Sequence, residues 1–471
     1  MNRLVKSGVA LTTLALVAVS IVASAAYPGG QNTFLIFCGV FLASWTLAWF
    51  GFQSYFYIWF SSLTLLGFWM KACAHLLTGR EFIEPTGSFD GSGGAWDSAI
   101  VVALAAGLGM LCFRLIQMYL MRQRDGVCVV EPTRDFVPFW YSQYRKWIWA
   151  GSLVAIAIVA LINFELGINQ AGLLPKIHLP FKLNAIIIWC LYSAFAFWIA
   201  ALVWWDVCMG LKFRFEAFVF EGILSSITVL SRSLYVTHVA HYFFSIIFNK
   251  NSIKLTLYKA ITMAALFVGG MAIVLVSVAE LRKDKFYGAA SETGVASPPQ
   301  ERKVASTQFL LLLSERWIGL EGVMSTSSYS GLGADLFREG WLDMPSYQSK
   351  PVYERVANSI YIDPNYPNAD KYNFLSTPGL AAMLHLSGSL LVVALGVFIL
   401  LSIISMGEYF IFSAVRNPFV LSLYGMILAM MLHQFGGLYV NLIQLFEIGC
   451  MMIFLWAVKK VPEYFRSEKI G

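Results

Sequence analysis

The sequence predicts an all-α fold: a polytopic transmembrane helical bundle of about twelve spans with one large extracytoplasmic loop. Three observations predict it. Of 471 residues, 58% are apolar or aromatic and only 13% are charged, whereas a soluble chain carries about 25% charged residues. The mean hydropathy is +0.67. Apolar runs long enough to cross about 30 Å of hydrocarbon recur along the chain, and no alternating strand pattern of about ten residues does, which argues against a β-barrel. A soluble enzyme of this size has nowhere to hide so much apolar surface, and a disordered chain is far more polar.

The first run, 7–26, follows Arg3 and Lys6. Ala23-Ser24-Ala25 resembles a signal-peptidase site, yet further spans follow at once, so an uncleaved first helix is expected. Clear spans then cover 33–50, 55–77, 98–121, 147–165, 184–209, 260–280, 380–405, 417–433 and 437–458. Residues 215–249 allow two readings, because the polar break Ser231-Arg232-Ser233 separates Phe215–Leu230 from Tyr235–Phe248. They form either two short spans or one interrupted span. The basic cluster Arg282, Lys283, Lys285, Arg302 and Lys303 favours the interrupted span, with 307–322 crossing back; the poor apolar run Gln308–Leu313 favours the pair.

Orientation follows from the basic loops. Residues 122–146 hold Arg122, Arg124, Arg134, Arg145 and Lys146, and the tail holds Lys459, Lys460, Arg466 and Lys469, so both are expected inside. Segments 78–97, 166–183 and 325–378 then lie outside. The chain divides into an N-terminal bundle over 1–280, a flexible Gly/Ala/Ser/Pro linker over 281–306, an extracytoplasmic loop region with short helices over 307–378, and C-terminal helices with a cytoplasmic tail over 379–471. A polar loop of that length is uncommon unless it serves as a lid or binding surface. The net charge of +6 serves orientation, since no basic run interleaved with stacking aromatics marks a nucleic-acid partner. The seven cysteines form no CxxC and read as small buried hydrophobes.

Ionisable groups at membrane depth are costly and mark candidate sites. The first cluster is Ser314-Glu315-Arg316-Trp317-Ile318-Gly319-Leu320-Glu321-Gly322. On a helix Trp317 and Glu321 share a face, and Arg316 is placed to meet a lipid phosphate at the interface. The plainer reading is an interfacial helix with a structural Arg–Glu pair. In the second cluster, Arg232 precedes His238 and His241, which share a helical face. No third ligand lies at a matching spacing, so no metal is expected. Arg232 with a histidine pair suits a diphosphate and a general base; the plainer reading is hydrogen bonding across a bundle. The third is the outer loop with Arg80, Glu84 and Asp90, where carboxylates beside aromatics suit sugar hydroxyls and sugar faces; it also reads as an ordinary turn-rich loop. Finally, His433, Gln434, Asn441, Gln444 and Glu447 line the last two spans, as hydrogen-bonding groups or as a cavity wall. With no Walker loop, dinucleotide fingerprint or HExxH in a supporting context, no cofactor is expected.

The outer-face segments RWIGLEGVM at 316–324, STPGLAAMLHLSGSL at 376–390 and EPTGSFDGS at 84–92, with the span count and loop, resemble bacterial oligosaccharide repeat-unit (Wzy-type O-antigen) polymerases and their ligase relatives. The resemblance covers most of the chain as architecture and few residues as motif. It implies a multi-pass glycosyltransferase of the bacterial cytoplasmic membrane, polymerising undecaprenyl-diphosphate-linked oligosaccharide units on the outer face. It implies a lipid-linked oligosaccharide substrate, membrane lipids and a chain-length regulator protein as partners, and neither metal nor nucleotide sugar. A departing diphosphate needs fixed cations, for which Arg316 comes first, then Arg232, with Arg80 and Arg338 behind. The acceptor hydroxyl needs a base, for which Glu321 and His238 lead over His241, Glu84 and Asp90. Two readings compete. A transporter or flippase of a charged lipid or glycan would use the same intramembrane groups, but no internal repeat is visible. A membrane acyltransferase would use His385 or His433, neither of which sits in a recognisable motif.

Overall fold

A computed structural model describes residues 3–80, 82, 86–122, 128–171, 173, 175–253, 255–291, 317–344, 351–356 and 377–467. Every regular element among them is helical. In chain order they are α1 (Arg3–Ala25), α2 (Gln31–Ala48), α3 (Tyr55–Thr64), α4 (Lys71–Thr78), α5 (Gly93–Leu120), α6 (Phe139–Leu166), α7 (Leu183–Trp189), α8 (Phe195–Cys208), α9 (Phe215–Val229), α10 (Arg232–Phe248), α11 (Lys250–Ile253), α12 (Leu257–Ser291), α13 (Leu320–Ser327), α14 (Ala334–Trp341), α15 (Val352–Val356), α16 (Leu380–His385), α17 (Leu390–Val415), α18 (Pro418–His433) and α19 (Leu438–Ser467). One π turn, Leu65–Met70, joins α3 to α4, and another, Cys190–Ala194, joins α7 to α8.

Nine helical stretches among the described residues are long and apolar enough to cross a membrane, and α18 is a shorter apolar helix. Their outward faces carry large apolar side chains such as Leu11, Val268, Leu391 and Phe410, each more than 60% exposed. Apolar surface on that scale belongs against lipid tails. The protein is therefore a multi-pass membrane protein. Two boundaries differ from those read in the sequence. The stretch 380–405 is not one span: α16 ends at His385, Ser387-Gly388-Ser389 turns the chain with Gly388 at φ 73, and α17 starts afresh. Residues 281–291 of the expected linker continue α12, and 292–306 lie outside the described residues. Of the expected extracytoplasmic loop region, 307–316, 345–350 and 357–376 lie outside them as well.

Two compact units emerge. The first comprises 1–127, 304–409 and 425–444. Within it α2 packs on α5, and α13 and α16 pack on α5 and on each other. Small residues on α5 make this closeness feasible. A Cβ on Gly107 would stand 3.0 Å from Phe41 and Val40, and one on Gly109 would meet the Ala394 carbonyl. Buried charges finish helix ends here. Arg114 on α5 donates to the Leu47 and Phe50 carbonyls at 2.9 and 2.7 Å, closing the C-terminal end of α2, and lies 4.9 Å from the Tyr57 ring centre. Glu408 accepts from the Ser54 hydroxyl and from the Phe56 amide, where the partial positive charge of the α3 N-terminus favours a carboxylate.

The second unit comprises 128–303, 410–424 and 445–471. Here α9 and α10 lie side by side, antiparallel. The chain reverses at Leu230 (φ 59) and Ser231, so residues 215–249 form a hairpin and not one interrupted helix. Gly222 allows the close approach, since a Cβ there would stand 2.7 Å from Val239. The Arg282 guanidinium on α12 donates to the Leu230 carbonyl at the hairpin tip at 2.7 Å, satisfying an orphan carbonyl at the α9 C-terminus. Asn417 caps α18 by accepting from the Phe419 and Val420 amides, with Pro418 in the first helical position.

Candidate functional site

The polar centre of the first unit starts from an irregular helix. Ser54 caps α3 by accepting from the Tyr57 amide at 3.1 Å. After the ten residues of α3 the helix widens into the π turn Leu65–Met70. Such turns hold an extra residue per turn and concentrate at functional sites. Directly after it stands Lys71, with His75 one α-turn further on the same face. Lys71 is fully buried, about 10 Å along the helix from its end at Thr78 by the usual rise per residue.

Its partner is Glu321. Trp317-Ile318-Gly319 leads into α13, with Gly319 at φ 156, a backbone state that suits glycine. Glu321 falls in the first turn of α13, where a carboxylate is favoured. Its Oε1 accepts from Lys71 Nζ in a hydrogen-bonded ion pair, with side-chain exposures of 0% for Lys71 and 6% for Glu321. Paired charges this deep are stable only while both partners remain.

His433, at the end of α18, completes the centre. A Cβ on Gly67 would lie 2.9 Å from His433 Nε2 and would also collide with the Ile318 carbonyl. Gly67 is thus the bare patch of the π turn on which the Ile318 backbone and the imidazole rest. His433 Nε2 is buried and makes no hydrogen bond among the described residues, and the Lys71 charge acts on the ring. The imidazole faces a cavity of about 30 Å³ bounded by Phe60, Thr64, Met110, Gly319 and Val397, room for one or two waters. Nearby in the same unit, His385 Nδ1 lies 3.3 Å from the Thr326 hydroxyl. At the turn after α4, His75 Nδ1 donates to the Arg80 carbonyl at 2.8 Å, and the Phe82 ring stacks on His75 at 3.7 Å.

The residues selected from sequence scatter. Glu321 is in this centre. Arg316 and Glu84 lie outside the described residues. Arg80 is exposed and contributes its carbonyl to His75. Asp90 is exposed; the Ser92 amide donates to it at 2.9 Å and holds its carboxyl below the ordinary range. Arg338 is exposed on α14. Arg232, His238 and His241 belong to the second unit, where Arg232 opens α10. His238 is fully buried, with Nδ1 3.0 Å from the Glu221 carboxylate and Nε2 3.0 Å from the Tyr192 carbonyl, so both ring nitrogens are engaged. His241 is fully buried against Phe218, and neither nitrogen has a hydrogen-bond partner among the described residues. Lys71 and His75 were missed, although Lys71 is the single fixed charge in the apolar run 55–77 and the cost of intramembrane charge applies to it directly.

Among the described residues, no group of three or more His, Cys, Asp and Glu is placed to hold a metal ion. Chemically, the centre offers an ammonium, a carboxylate and an imidazole in a largely apolar setting. Comparison with family models, with curated proteins and with solved structures returns no match for this chain.

Proposed function

We propose that the protein is an integral-membrane glycosyltransferase that polymerises undecaprenyl-diphosphate-linked oligosaccharide repeat units on the outer face of the bacterial cytoplasmic membrane. The observation that carries this reading is the buried Lys71–Glu321 pair beside His433. Glycosyl transfer from a lipid diphosphate needs a cation where the leaving group gathers charge and a base where the acceptor hydroxyl loses its proton. One pair supplies both. As the bond between the anomeric carbon and the diphosphate oxygen breaks, Lys71 turns from Glu321 to the departing phosphate. Glu321, released, takes the proton of the acceptor hydroxyl as the new glycosidic bond forms. Arg316 supplies a second cation at the interface, and the Arg80–Asp90 loop meets sugar. The proposed topology takes α9, α10 and α18 as crossings beside the nine longer apolar stretches, and on that reading α4's C-terminal end, α13 and His433 lie toward the outer face.

The test is reconstitution. Purified protein in lipid nanodiscs, given lipid-linked oligosaccharide alone, is expected to yield longer lipid-linked glycans, and Glu321→Gln to yield none at normal expression. Wild-type-length polymer from folded Glu321→Gln would end the proposal. A second reading, transport of a charged lipid or glycan, draws on the interrupted helix carrying Lys71, because broken helices build transporter sites. Substrate appearing across a sealed liposome with no change in glycan length would favour it.

A further inference from the structure

A second buried charge cluster lies in the second unit, at the join between the end of α8 and the start of α9. Asp206, in the last turn of α8, is fully buried. Arg145 on α6 grips it with two hydrogen bonds of 2.6 Å, from Nε to Oδ1 and from Nη2 to Oδ2. Tyr141 donates to Oδ1 at 2.7 Å, and the Trp149 indole donates to the Tyr141 hydroxyl at 2.9 Å. A second guanidinium then approaches the same carboxylate: Arg214 Nε stands 3.4 Å from Oδ2, with its Cζ 5.1 Å from the Trp149 ring centre. One carboxylate balances one guanidinium, so the cluster keeps a surplus positive charge. That surplus sits on the more accessible partner, since the Arg214 side chain is 39% exposed against 21% for Arg145. Lys212 and Lys146, close by in sequence, are exposed and add to it.

The surroundings identify the ligand. The first turns of α6 hold out Phe139, Tyr144 and Trp147, exposed by 49%, 51% and 79%. Aromatic side chains stranded at one end of a membrane helix mark the headgroup level of the bilayer. A surplus guanidinium at that level meets lipid phosphates, and its planar fork suits a phosphate's paired oxygens. We propose that Arg214, held in place by Asp206 and Trp149, forms a binding site for the phosphodiester of an anionic phospholipid, with Lys212 and Lys146 supplying longer-range attraction.

The experiment uses the full chain in nanodiscs of phosphatidylcholine with and without phosphatidylglycerol, followed by mild extraction and native mass spectrometry of retained lipid. Wild type is expected to hold phosphatidylglycerol in preference to phosphatidylcholine, and Arg214→Gln to weaken that retention about fivefold, the effect of one cation near an anionic surface. Equal retention of the two lipids by wild type overturns the proposal without any variant. So does unchanged phosphatidylglycerol retention by folded Arg214→Gln, or full displacement of the lipid by millimolar inorganic phosphate, which would make this a site for free anions.

Discussion

Lys71 and Glu321 stand 250 positions apart in the sequence and share one buried, hydrogen-bonded ion pair. Removing either partner strands a charge at membrane depth. Lys71→Met or Glu321→Leu alone is expected to cost about 3–5 kcal/mol, and the double variant Lys71→Met/Glu321→Leu to recover most of it. Thermal unfolding in detergent measures the cycle. The proposed glycan elongation separates stability from chemistry, because on that reading the double variant should fold and still make no polymer. A double variant that elongates normally would confine the pair to a structural role.

Gly67 is the second point of sensitivity. An added methyl meets the Ile318 carbonyl and the His433 ring, and overpacking of this kind costs about 1–3 kcal/mol. Gly67→Ala should lower the unfolding temperature and elongation together. Gly94→Ala on α5 is the control, since a Cβ there meets nothing within 4 Å. Unchanged unfolding of Gly67→Ala would show that Ile318 and His433 have freedom to move away.

Arg114 is expected to matter for stability only. Its guanidinium serves carbonyls at the end of α2 and the Gln117 amide oxygen. Lysine has no planar fork to serve them together, so Arg114→Lys should destabilise by about 1–3 kcal/mol. Elongation per folded molecule should stay at the wild-type level. A selective loss of elongation would bring Arg114 into the chemistry.

His238 is fully buried between Glu221 and the Tyr192 carbonyl. His238→Gln should reduce thermal stability and leave polymer length unchanged. Abolished elongation at wild-type stability would support this histidine as the base.

Most spans were legible because a run of apolar residues carries its meaning locally. The hairpin of α9 and α10 was half legible: Ser231-Arg232-Ser233 announced a break, but the reversal rests on Leu230 entering a left-handed conformation and on Arg282 reaching its carbonyl from another helix. Neither is written near the break. The start of α17 was misplaced because Leu380–His385 is as apolar as a span, and only the brief Ser387-Gly388-Ser389 interruption sets it apart. Glu321 was legible as a candidate and its partner was not, since its sharing a helical face with Trp317 is local and contact with Lys71 is tertiary. Gly67 was invisible, because a missing side chain acquires significance only from what rests against it.

The π turn at Leu65–Met70 has a further consequence for inheritance and engineering. If the same residues wound on as a regular helix, everything downstream would swing by about 100°. Met70 would then occupy the station of Lys71, and Ala74 that of His75. A one-residue deletion within the turn would instead remove the extra residue, straighten the helix and leave Lys71 and His75 near their present stations.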